Sequence, residues 1–334
     1  MKINFSPYIK QFPELFSGKK VLYVHGFGSS GQSGTVARIR EVLPQATVIA
    51  PDLPVEPEEA MTLLRQTCNQ EKPDLIIGTS MGGMYAEMLY GYDRIIVNPA
   101  FEMGETMKAH GMTGQQQFQN PRQDGVQEFM VTKQLVKAYK EMTEQCFNGV
   151  TQEEQSRVWG LFGDEDTTVD TIDIFKAHYQ TAICFHGEHR MNDNSFMHAV
   201  VPVIRWIDDR QERRQRPIVF IGYDAMHDSY GKPLSSVVKA VGHLIESYSL
   251  YFFSTCPTND HAYLTHVQEW IEQYVAVPAY DRVVFTNQPQ LLYGDYFIMK
   301  QEETEMMGAV IDFGSDEFKT WEEILVYFDR LGGQ

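Results

Sequence analysis

Asp74-Leu75-Ile76-Ile77-Gly78-Thr79-Ser80-Met81-Gly82-Gly83-Met84-Tyr85-Ala86-Glu87-Met88 is the stretch on which the reading of this chain turns. Leu75-Ile76-Ile77 has the apolar, β-branched character of a strand covered on both faces, and Met84 to Met88 reads as helix. Between them, Gly78-Thr79-Ser80-Met81-Gly82 fits G-x-S-x-G and runs straight into Gly83. Five residues alone carry little in a chain of 334. The strand before and the helix after give them meaning. A serine on so tight a turn takes strained backbone angles, and small neighbours let adjacent backbone pass close to it. The turn lifts Oγ above the sheet, and the new helix aims its first N–H groups at the same spot. A glycine-rich turn with an incidental serine is the bland alternative.

Working outward, strand-like runs at 21–24, 46–50, 74–78, 94–97, 157–162 and 181–185 alternate with amphipathic stretches at 35–43, 57–68 and 84–90. This rhythm predicts α/β architecture, a parallel sheet with right-handed crossovers. Residues 101–154 break it with no strand signal, only a polar Gln- and Met-rich stretch and a helical one at 126–146. So long an insertion is either a lid over a site or a pair of surface helices. A helix at 194–209 leads into the charge-dense run 208–216, read as a solvated helix end and linker. Strands at 218–222, 250–254, 282–286, 296–299 and 309–313 then alternate with helices at 234–248, 261–274 and 321–331. The division predicted is 1–212, with its insertion at about 101–154, and 213–334, a second, smaller Rossmann-like α/β domain.

The net charge of -17 repels nucleic acid and anionic membrane, so neither is an expected partner. Cys68, Cys146, Cys184 and Cys256 show no CxxC spacing and read as reduced thiols rather than disulfides or a zinc site. The first sixteen residues lack an apolar segment behind a basic start. No apolar run approaches the roughly 18 residues of a membrane helix. A cytoplasmic location is the expectation.

A serine hydroxyl needs a base. His186-Gly187-Glu188-His189-Arg190 follows the last strand of the first domain, with His189 as candidate and His186 and His198 as rivals. The orienting acid belongs on the loop after the preceding strand, where Gly163-Asp164-Glu165-Asp166 stands. Asp166 has the G-x-x-D offset, and Asp164 is the alternative. The order Ser80, Asp166, His189 is that of α/β-hydrolases. Two oxyanion donors are also required. Met81 N–H is one, and Phe27 N–H, after Tyr23-Val24-His25-Gly26, is the other, with His25 as a structural brace. A rival reading takes Gly26-Phe27-Gly28-Ser29-Ser30-Gly31 and Asp52 as a dinucleotide fingerprint. Against it, Gln32-Ser33-Gly34 intervenes before a helix begins.

Three motifs, residues 22–30, 78–83 and Val97-Asn98-Pro99-Ala100, together with Thr113-Gly114-Gln115-Gln116, resemble the YqiA-like esterase family over residues 20–207. The resemblance implies an α/β-hydrolase sheet with a helical insertion. It implies carboxylesterase or thioesterase activity on a small-molecule acyl ester or thioester, with no cofactor and no metal. Asp166 is an acid beyond that family's usual Gly-Asp-Glu.

From 217 to 332 the chain resembles the haloacid dehalogenase superfamily, closest to its 5'(3')-deoxyribonucleotidase branch. The carriers are residues 250–257, 281–286, Gly294-Asp295-Tyr296-Phe297-Ile298, and Phe313-Gly314 with Trp321-Glu322-Glu323. Such phosphatases require an aspartate nucleophile, an acid two residues on, a lysine, and acids for Mg²⁺. Here Asp224 could be the nucleophile, but Met226 holds the second place, Pro289 the lysine's and Met299-Lys300 that of the paired acids. A degenerate, non-catalytic domain is expected, its protein partner unnamed. Two alternatives to hydrolysis at Ser80 remain: a non-catalytic interaction module, and a Mg²⁺-dependent nucleotide phosphatase in the second domain.

Overall fold

The computed structural model describes residues 9–255, 259–300 and 305–332. The chain forms two compact units, Met1–Asp208 and Asp209–Gln334. The division thus falls four residues before the position expected from the charged run.

Unit 1 contains strands β1 (Lys20–Val24), β2 (Thr47–Ile49), β3 (Leu75–Thr79), β4 (Arg94–Val97), β5 (Gly114–Gln117), β6 (Glu128–Val131), β7 (Val158–Gly163) and β8 (Ala182–Phe185). Six of them make one sheet in the order β2-β1-β3-β4-β7-β8, every pair parallel. β3 and β4 lie in the middle, and their apolar side chains are buried on both faces, hence runs without alternation. Helices α1 (Gly34–Val42), α2 (Pro57–Glu71) and α3 (Met81–Glu87) make the first crossovers. In α2, Pro57 sits in the first turn with Glu58 and Glu59, matching the dipole, while Ala60, Met61, Leu64 and Cys68 form the buried stripe.

The expectation of no strand in 101–154 is overturned. After α4 (Met103–Ala109), β5 and β6 pair antiparallel as a separate two-stranded sheet. Three of the four β5 residues are glutamine, so the period of two carries no change of polarity along it. The helix expected from 126 starts only with α5 (Lys133–Thr143), where Thr132 Oγ1 accepts the Leu135 N–H at 3.0 Å.

Unit 2 is a five-stranded parallel sheet ordered β11-β10-β9-β12-β13. Its strands are β9 (Ile218–Gly222), β10 (Ser249–Ser254), β11 (Val283–Phe285), β12 (Tyr293–Met299) and β13 (Met307–Asp312), with helices Val237–Leu244, His261–Tyr274 and Trp321–Gly332. Phe220 stacks on Phe297 at 5.3 Å between centroids, in a core shared with Phe253 and Met299. Cys256 and Pro257, part of the quoted 250–257 motif, lie outside the described residues, as do the first eight residues of the chain. Among the described residues no helix is long and apolar enough to cross a membrane.

Candidate active site

Ser80 stands between β3 and α3 with φ 56° and ψ -121°, a conformation an L-residue holds only under constraint. The constraint is visible in its backbone. Ser80 N–H donates to Val97 O at 2.9 Å, and Ser80 O accepts from Gly83, Met84 and Ala100. Both pattern glycines are sterically required. A Cβ on Gly82 would lie 2.0 Å from Val24 O, and one on Gly78 would lie 2.3 Å from Gly82 O. The loop after β1 passes so close that a Cβ on Gly26 would sit 3.4 Å from that of Ser80.

The loops after β7 and β8 bring two predicted partners to this serine. His189 Nε2 is 3.0 Å from Ser80 Oγ, and His189 Nδ1 is 2.8 Å from Asp166 Oδ2. With Nδ1–H given to the carboxylate, Nε2 presents its lone pair to the hydroxyl. The Asp166 side chain is 4% exposed. Burial opposes its ionisation, but the bonds from His189 and from the Val169 and Thr168 N–H groups prevail and lower its pKa.

The rivals are placed elsewhere. Asp164 pairs with His186 at 2.5 Å and accepts the Gly187 N–H, an exposed pair beside the first. His198 sits on the π-helical turn Phe196–Val200, where burial lowers its pKa.

His25 holds the loop after β1. Its Nδ1–H donates to Gly26 O at 2.9 Å, and its Nε2 accepts the Leu53 N–H at 3.0 Å. Burial lowers the pKa of this ring. The backbone N–H groups of Phe27 and Met81, on either side of Ser80, have no hydrogen-bond acceptor among the described residues. Asp52 accepts the N–H groups of Gly31 at 2.8 Å and Gln123 at 2.6 Å, and α1 starts three residues beyond Gly31. The dinucleotide arrangement is therefore not formed.

Asn98 was quoted in the sequence motif without a role. It is buried, with φ 45°. Its Nδ2 donates to Glu188 O at 3.0 Å and His189 O at 3.1 Å, while its Oδ1 accepts the Gly163 N–H at 2.7 Å. One side chain ties the histidine loop to the start of the acid loop.

Next to Met81 lies a small cleft of about 10 Å³, with Phe27, Met81, Leu53, Val55, Phe129 and Tyr139 among its walls. Phe129 and Tyr139 come from the insertion, which thus lines a cleft rather than only covering surface.

In unit 2 the phosphatase positions are occupied otherwise. Asp224 Oδ2 accepts the Lys300 N–H at 3.1 Å. Met226 is fully buried, and Pro289 is buried in a 3₁₀ turn. Trp321 Nε1–H donates to Ala225 O at 2.9 Å. Among the described residues no three His, Cys, Asp or Glu side chains cluster as a metal site. The thioether and ammonium that replace acids here do not fit Mg²⁺, which takes oxygen ligands.

A model of the uncharacterised protein family UPF0227 matches residues 20–206, more than half of the chain. A candidate 5'(3')-deoxyribonucleotidase of Vibrio phage KVP40 is 31% identical over 99 residues, 29% of this chain. The chain spans 58% of that relative's length. Among solved structures, Est1E of Butyrivibrio proteoclasticus with ferulic acid bound is 14% identical, with TM-score 0.42, covering 61% of this chain and 93% of that one. The thioesterase domain from the curacin biosynthetic pathway is also 14% identical, with TM-score 0.34, covering 59% and 92%.

Proposed function

Since the chain belongs to the UPF0227 family, whose match takes in the six-stranded sheet and the Ser80, Asp166 and His189 constellation, we propose that it is a serine hydrolase of carboxylic esters or acyl thioesters. The observation that carries this reading is the relay from Ser80 Oγ through His189 to Asp166.

Ser80 Oγ attacks the acyl carbonyl as His189 Nε2 takes its proton, and Asp166 stabilises the resulting imidazolium. The carbonyl oxygen, now an anion, is held by the Phe27 and Met81 N–H groups, which have no competing acceptor among the described residues. His189 gives the proton to the departing alcohol or thiol, leaving an acyl-enzyme. Water then loses a proton to His189, attacks the same carbonyl and releases the acid, and the proton returns to Ser80. On this reading unit 2 takes no chemical part, since Met226 and Lys300 stand where the phosphatase acids would and, among the described residues, no three His, Cys, Asp or Glu side chains cluster as a metal site.

Fluorophosphonate labelling of wild type against Ser80→Ala tests the proposal. Labelling of the wild type alone is expected. A folded wild type that stays unlabelled would overturn it in favour of a non-catalytic module. Mg²⁺-dependent hydrolysis of a nucleotide monophosphate, abolished by Asp224→Asn, would overturn the reading of unit 2.

A further inference from the structure

The cleft next to Met81 starts at the two residues assigned to the oxyanion, Phe27 and Met81. On the hydrolase reading, an acyl group whose oxygen is held by these two residues lies against this space. Its walls are apolar and fixed. Tyr139 is fully buried, its hydroxyl held by Val55 O at 2.9 Å and Met81 Sδ at 3.2 Å, so it has no room to swing away. Phe129 packs edge-on against Phe27 at 5.3 Å and tilted against Phe118 at 4.5 Å.

The insertion that supplies Phe129 is laced to the loop after β1. Gln119 N–H donates to Gly28 O at 2.7 Å, Ser30 Oγ–H to Pro121 O at 2.6 Å, and Asn120 Nδ2 to Ser29 Oγ at 3.1 Å. Asp52 adds its bridge from Gly31 to Gln123. The wall is thus anchored to the same loop that carries Phe27, and the cleft it leaves is small, about 10 Å³.

Polar groups around it are already engaged. Both His25 nitrogens serve the backbone. Arg122, nearby, gives Nη1 to Leu53 O and its Nε and Nη2 to Asp124. A carboxylate at the end of an acyl chain would lose its hydration here and gain no partner.

We propose that this site selects short, uncharged acyl groups, with Phe129 and Tyr139 setting the length limit. The inference rests on the serine-hydrolase reading and is tested on the full chain. Fluorophosphonate first titrates Ser80, then kcat/KM is measured on p-nitrophenyl acetate, butyrate, octanoate, palmitate and hemisuccinate. Acetate or butyrate is expected to lead, with octanoate about tenfold or more behind. Hemisuccinate, as long as butyrate but charged, is expected to fall about 100-fold below it. Phe129→Ala should raise the octanoate-to-butyrate ratio about tenfold. Val55→Phe, which fills the cleft instead of emptying it, should lower butyrate relative to acetate. A labelled enzyme that prefers octanoate or palmitate, or accepts hemisuccinate as well as butyrate, overturns the selectivity and leaves the hydrolase reading standing. Ratios unmoved in both variants do the same. An unlabelled wild type overturns both.

Discussion

In unit 1 the C-terminal ends of β3, β7 and β8 lead to Ser80, Asp166 and His189, which bond to one another. In unit 2 the same ends of β9, β10 and β12 lead to Asp224, Ser254 and Lys300, and there the Asp224 side chain bonds backbone. Both sheets are parallel and offer the same kind of edge, where open α/β folds bind ligands. The difference lies in which residues brace the loops. Unit 1 gives that work to His25, Asp52 and Asn98, so the serine and histidine are available to each other. In unit 2 Asp224 itself holds the backbone of Lys300, and the neighbouring Met226 is core. A parallel edge becomes a reaction site only when other residues carry its structural load.

The sharpest way to break this contrast is to remove the candidate nucleophile from each unit. Ser80→Ala is expected to cost roughly 10⁴–10⁶ in kcat on p-nitrophenyl butyrate, whereas Asp224→Asn should leave esterase turnover unchanged. Comparable losses in both would end the assignment of chemistry to unit 1. Within unit 1, Asp166→Asn should lower kcat about 10⁴-fold by misorienting the imidazole. Asp164→Asn, which breaks only the exposed pair with His186, should stay within about tenfold. The reverse order in steady-state kinetics would make Asp164 the orienting acid.

Gly82→Ala probes the turn itself. Its Cβ would meet backbone atoms at 2.0 Å, so a loss of about 3 kcal/mol or more is expected in urea unfolding; a midpoint equal to wild type would show that the turn relaxes. Asn98→Ala should lower kcat and the labelling rate about 100-fold through displacement of His189. Restored labelling in Asn98→Asp, which keeps only the acceptor toward Gly163, would assign the effect to the acid loop instead.

The smallest effect concerns Glu87, buried at the end of α3. Burial raises its pKa, against the Phe147 N–H, the Tyr179 hydroxyl and Arg94. A carboxyl with a raised folded pKa contributes stability below its unfolded value, about 4.3, that is lost as pH rises through the folded one. Glu87→Gln should therefore flatten the fall in thermal midpoint as pH rises above about 4.3. A slope identical to wild type would contradict this.

Much of the site could be read from residues alone, because its members sit at fixed offsets from strand ends. Ser80 follows a five-residue apolar strand, and His189 leaves the last one. Adjacent acids could not be separated that way. Asp164 and Asp166 share a loop, and only the geometry sends one to His186 and the other to His189. Asn98 was legible as part of a motif but not as a clamp, since its partners lie 65 and about 90 residues further on. The hairpin of β5 and β6 was hidden by glutamines that face either side without a change in polarity. The cleft needed Phe27, Phe129 and Tyr139 together, and nothing local to any of them announces the others.

The relay between Ser80 and His189 spans 109 positions of the chain. During synthesis at about 5–20 residues per second, the serine emerges on the order of 5–20 s before its base. For that interval the nascent chain carries a strained elbow and an ordinary alcohol. On the proposed mechanism, the serine gains its base only when the eighth strand docks.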